Sequence, residues 1–129
     1  MTPSMISSVA AGGAIGAAGR YVVGVLATRL LGHEFPWGTV IVNITGSFAM
    51  GAIITYMALK WSASQEMRAF LTTGVLGGFT TLSTFSLDFA ILYDRKHPIV
   101  AFFYAMGTVG LALIAVFAGM ALMRAVHAP

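Results

Sequence analysis

The stretch GGFTTLSTFS, Gly77 to Ser86, decides how this chain is read. It holds two adjacent glycines, five hydroxyl residues and two phenylalanines, and the sequence on either side is apolar enough to enter a bilayer. Hydrocarbon offers no water to unpaired N–H and C=O groups. Backbone that leaves the helix is tolerated there only when it is buried in protein or lines a cavity. The stretch therefore predicts an interrupted segment: a span from about Met67 to Tyr93, made of two half-helices that meet near the bilayer centre. Half-helix ends present carbonyls to cations and N–H groups to anions, so such an interruption marks an ion site.

The rest of the chain agrees with a membrane setting. Of its 129 residues, 58% are hydrophobic and 9% are charged, against about 25% charged in an ordinary soluble domain. So few charges could not keep a surface of this size in water. The reading is an all-α integral membrane protein, a single domain over residues 1–129, with no room for a soluble module. There is no cysteine, which excludes disulfides, thiolate metal sites and cysteine nucleophiles. MTPSMISS has no basic run ahead of its apolar stretch, so the first segment is expected to remain as a membrane helix and not to be cleaved. The net charge of +3 is scattered, and nothing in it points to nucleic acid.

A spanning helix needs roughly 20 apolar residues, and the sequence supplies four such segments. They run from about Ile6 to Leu31, Trp37 to Leu59, Met67 to Tyr93 and Ile99 to Met123. Pro36 and Pro98 suit helix starts, Ser62 and Gln65 have capping-box spacing, and DRKHP (94–98) reads as a tight charged turn. Trp37, Trp61 and Tyr93 fall near segment ends, where aromatic belts sit. Four crossings put Lys60, Arg68 and Arg124 on one side and Arg29, Arg95 and Lys96 on the other. Orientation follows an excess of Lys and Arg on one side. Here there is none, and insertion in both orientations is one reading of that balance. No internal repeat is visible, which speaks against a transporter built by duplication within the chain.

Several polar residues lie at membrane depth. Arg20 sits mid-segment, where a charge is costly. It could snorkel or bond to carbonyls, but the favoured reading is an anion-attracting charge in a water-filled entrance. Gly12, Gly16 and Gly24 share its face, and Ser47 shares one with Gly51; small residues at that spacing let helices approach closely. Asn43 could be helix glue, yet its amide offers two donors to an anion, with Thr39 one turn earlier. Tyr104 and Thr108, four apart, could form a pore wall. Asp88 could cap, pair with a base or face a vestibule. His33, His97 and His127 lie in loops or the tail at spacings unsuited to a metal, and the acids show no intramembrane pairing. No constellation supports enzymatic chemistry.

GRY (Gly19–Tyr21), GTVIVNITGSF (Gly38–Phe48) and GGFTTLSTFS together resemble the Fluc/CrcB fluoride channels, and the resemblance covers all four segments. It implies an antiparallel, dual-topology homodimer of four-helix subunits in the inner membrane, with the third helix broken at the midplane. It implies two fluoride pores and a structural sodium ion at the dimer centre, held by backbone carbonyls assigned by position to Gly77 and Thr80. The pore asparagine becomes Asn43, the hydroxyl track Ser83 and Thr84, and the vestibule charge Arg20. The implied activity is passive export, giving fluoride resistance: fluoride that enters as neutral HF and is trapped as the anion leaves down the membrane potential. The family's pore phenylalanines fall at positions 82 and 85. Phe85 is present, but the other position is Leu82, which has no positive ring edge to meet an anion. The alternative reading is a small dual-topology multidrug/proton exporter, similar in length and charge balance. Such exporters need a carboxylate in the first helix, where this chain has Arg20 instead.

Overall fold

The structure is a computed structural model that describes residues 1–95 and 97–127. The described residues are helical and turn segments, with four spans long and apolar enough to cross a membrane. Helix α1 runs Pro3–Leu31 and α2 runs Trp37–Leu59. The third span is compound. A short α3, Gln65–Ala69, passes into a π-helical stretch, Phe70–Leu76, and then into one turn, α4, Gly77–Phe79. Thr80 is extended (φ −86°, ψ 161°), and α5 begins only at Ser83 and runs to Asp94. Helix α6 covers Pro98–His127. Lys96, part of the 94–98 turn and of the charge count, lies outside the described residues.

The helix starts follow local chemistry. Pro3 occupies the first turn of α1, where a missing N–H costs nothing, and the Thr2 hydroxyl accepts from the Met5 N–H. Pro98 opens α6 as expected. The third span starts differently from the Ser62–Gln65 expectation. Ser64 is the cap, its hydroxyl accepting from the Met67 N–H at 3.1 Å. Ser64 is the serine that directly precedes the first helical residue, and a cap must stand there for its oxygen to reach the free N–H groups. His127 is not in a tail but is the last helical residue, edge-on to Tyr56 with ring centroids 5.1 Å apart.

Helix α2 makes its most extensive contact with α6; α1 lies against the first half of the third span and against α2, and α5 packs on α6. Absent side chains permit the closest of these contacts. A Cβ on Gly16 would collide with the Val75 carbonyl oxygen, and one on Gly12 with that of Phe70. Gly12 and Gly16 thus form the seam with the π-helical stretch. Gly51 plays the same part opposite Val116 on α6. Leu92, Ala101 and Tyr104 form a buried cluster, with Phe35, Val40 and Phe85 packed around them. Large apolar side chains such as Tyr21, Leu30, Phe103, Ile114 and Phe117 lie on the outside. A soluble protein rarely exposes an apolar surface on that scale, whereas for these four spans it is the surface that faces lipid or another protein.

Candidate functional site

The polar stretch that interrupts the third span is held by side chains from two other helices. In an unbroken helix the Thr81 and Leu82 N–H groups would bond to the carbonyls of Gly77 and Gly78. Here the Thr81 N–H donates to Asn43 Oδ1 at 2.8 Å, and Asn43 Nδ2 donates back to the Thr81 carbonyl at 3.0 Å. The Gly78 carbonyl accepts from Arg20 Nε at 3.0 Å. Among the described residues no hydrogen-bond donor reaches the carbonyls of Gly77 or Thr80.

The five hydroxyls of the stretch divide their work. Thr80 and Ser86 donate back to the carbonyls of Leu76 and Leu82, each four residues earlier and at 3.0 Å; such bonds let a hydroxyl sit at membrane depth without water. The Thr81 hydroxyl accepts from the Thr84 N–H at 3.1 Å and thereby starts α5. Thr84 lines a cavity, and Ser83 is exposed on the outside of the chain. Thr81 was absent from the residues singled out by sequence. Its three-residue spacing from Thr84 was the available signal.

Three half-open cavities surround this region. The largest, about 550 Å³, is lined by Arg20, Arg29, Thr28, Thr39 and Thr84 among others. A second, about 420 Å³, brings together Asn43, Gly77, Thr80, Leu82, Phe85 and Thr108. Thr81 lies at the wall of both. The third, about 280 Å³, is lined by His33, Glu34, Thr39, Asp88 and Arg95. The candidate residues are therefore not on one track. Thr39 and Asn43, one turn apart, open onto different cavities. Leu82 and Phe85 share one, with Leu82 exposed and the Phe85 ring 5.1 Å from that of Tyr104.

Asp88 is the residue the sequence left most open. Its Oδ2 accepts from the Thr39 hydroxyl at 2.6 Å and from the Tyr104 hydroxyl at 3.2 Å. It is thus tied to α2 and α6 through hydroxyls and not through an acid or a base. Tyr104 is 2% exposed, so its hydroxyl is a buried strut here and the pore-wall pairing with Thr108 is not seen: Thr108 faces the cavity beside Asn43 instead. Arg20 bonds to a carbonyl and lines the largest of these cavities. Among the described residues no group of three His, Cys, Asp or Glu side chains could hold a metal ion.

Residues 7–120 match the family described as CrcB-like protein, Camphor Resistance (CrcB). A protein of Agrobacterium fabrum named fluoride-specific ion channel FluC is 52% identical over 119 residues, which is 92% of this chain and 95% of that protein. Its namesake in Rhizobium meliloti is 50% identical over 117 residues, 91% of this chain and 94% of its own. In Nitrobacter hamburgensis a protein named fluoride-specific ion channel FluC 2 is 49% identical over 113 residues, 88% and 91% of the two chains. With four spans of sufficient length and apolarity, the chain is a multi-pass membrane protein.

Proposed function

This chain belongs to the CrcB family, and from that premise we propose that it is a fluoride-selective channel, passive and not enzymatic, exporting fluoride across the inner membrane. The observation that carries the reading is the cavity beside Asn43, at an interruption whose surplus carbonyls point to ion binding, on a chain whose relatives named fluoride-specific channels match nearly its whole length. A small anion entering such a cavity surrenders strong bonds to water, and donors must replace them. Asn43 keeps one amide N–H beyond the one given to Thr81, and Thr108 offers a hydroxyl on the same wall. Phe85 adds a ring whose edge is positive. Arg20 and Arg29 draw anions into the larger cavity.

In this reading two subunits pair antiparallel, each third span working as two half-helices that meet at the bilayer centre. The Gly77 and Thr80 carbonyls, left without donors among the described residues, suit a hard cation such as sodium. Bound there, sodium would supply fixed positive charge to the dimer centre. The test is fluoride efflux from liposomes reconstituted with the purified protein. Efflux is expected to be fast, indifferent to a proton gradient and lowered when sodium is exhaustively exchanged. Cationic-drug transport without fluoride efflux would favour the multidrug/proton exporter.

Dual topology has its own check. His97 is exposed beside the last turn of α5, and His97→Cys leaves every Lys and Arg in place in a chain with no other cysteine. An impermeant thiol reagent is expected to label it in similar amounts from both sides of the membrane. Labelling from one side only would remove the antiparallel dimer.

Leu82 tests the aromatic contribution. It lines the cavity with Phe85 but has no ring. Leu82→Phe should raise fluoride flux roughly five-fold, because an edge contact with an anion is worth on the order of 1 kcal/mol. Unchanged flux would mean that this position serves only as an apolar spacer.

A further inference from the structure

We propose that Arg20 is a positioning residue whose Nε–H replaces a main-chain donor that the third span has lost, and that this bond, more than the residue's charge, fixes the shape of the interruption. The contact joins residues 58 apart in sequence, from the middle of α1 to α4. The carbonyls around the interruption that have no helical partner among the described residues include those of Gly77, Gly78, Thr80 and Thr81. Arg20 takes that of Gly78 and Asn43 that of Thr81, each at 3.0 Å, and no donor among the described residues takes those of Gly77 and Thr80. Arg20 thereby selects which carbonyls stay available and anchors the last turn before the chain becomes extended at Thr80. Asn43 holds the far side of the same turn through Thr81. The interruption is pinned from α1 and α2 at adjacent points.

Geometry separates this role from that of a charge. The bond is made by Nε, not by the terminal nitrogens, and Nε is the fourth side-chain atom beyond Cα. Glutamine carries its amide nitrogen at that same position, with an N–H and no charge. Lysine carries a methylene there, with its charge one atom further on. Arg20→Gln therefore keeps a donor at that position and loses the charge, whereas Arg20→Lys keeps the charge and moves its donors one atom beyond that position.

Amide hydrogen exchange over residues 77–86 reads the interruption directly and needs no assumption about transport. In the purified protein, Arg20→Gln is expected to keep wild-type protection. Arg20→Lys and Arg20→Met are both expected to exchange roughly ten-fold faster there, the size of one lost hydrogen bond. Wild-type protection in Arg20→Lys overturns the proposal, and so does fast exchange in Arg20→Gln protein that is otherwise folded. Should Arg20→Gln fail to insert, wild type against Arg20→Lys decides alone. Fluoride efflux supplies a second reading that rests on the channel proposal: sodium dependence should stay normal in Arg20→Gln and weaken in Arg20→Lys. Wild-type protein without efflux would sink the channel reading while leaving the exchange comparison intact.

Discussion

Asn43→Asp is expected to lower fluoride flux by about a hundred-fold or more while the protein still assembles. Three effects act in the same direction. The substitution replaces the amide nitrogen that donates to the Thr81 carbonyl at 3.0 Å with an oxygen, setting two acceptors against each other. It removes the remaining amide N–H that an anion would meet in the cavity. It also adds a negative charge to a partly buried site that, in the proposed channel, a negative ion would pass. Losing hydrogen bonds to an ion and gaining like-charge repulsion in a poorly solvated site together amount to roughly 3 kcal/mol, or about a hundred-fold in rate. One half of the clamp survives, since the new carboxylate can still accept from the Thr81 N–H as Asn43 Oδ1 does at 2.8 Å. Assembly is expected to persist for that reason. Size-exclusion behaviour and efflux measured on the same preparation check both halves. Wild-type flux would show Asn43 to be a clamp on the interruption and nothing more.

Gly16→Ala is expected to cost the folded protein more than any other single methyl on the α1 face. The added Cβ would collide with the Val75 carbonyl and sit 2.9 Å from the Phe79 N. Both are backbone atoms in the π-helical stretch and the turn that follows it, so no rotamer change relieves the clash. Overpacking of this kind costs roughly 1–3 kcal/mol, against about 1 kcal/mol returned by alanine's better helix propensity. Gly13 is the control, because a Cβ there meets nothing within 4 Å. Gly13→Ala should resist heating in detergent at least as well as the wild type, while Gly16→Ala should lose its monodisperse peak at lower temperature. The opposite order would show that the seam between α1 and the third span is not what holds this region together.

The sequence by itself determined the membrane class, the four spans and the family. These rest on signals that are local or additive. Apolar runs of sufficient length must become helices in hydrocarbon, because only helical backbone there satisfies its own polar groups, and proline and capping hydroxyls mark starts within a few residues of themselves. Small errors of placement, such as choosing Ser62 where Ser64 caps, leave the spans in place. The family came from motifs distributed along the chain, which need no three-dimensional knowledge to match.

Tertiary structure decided what each polar residue does. Sequence spacing put Thr39 beside Asn43 and Tyr104 beside Thr108, as neighbours on helix faces should be. A residue's partner, though, depends on the helix opposite. Thr39 and Tyr104 meet on Asp88, from 49 and 16 residues away. Asn43 meets Thr81, 38 residues on, and Arg20 meets Gly78. Nothing in the local sequence encodes those distances. The Arg20 contact follows from the close seam of α1 on the third span, which Gly12 and Gly16 permit. The Asn43 contact follows from the demand that a donor left over by an interrupted helix find an acceptor where water is absent. That demand could be read from GGFTTLSTFS alone; which side chains would answer it could not.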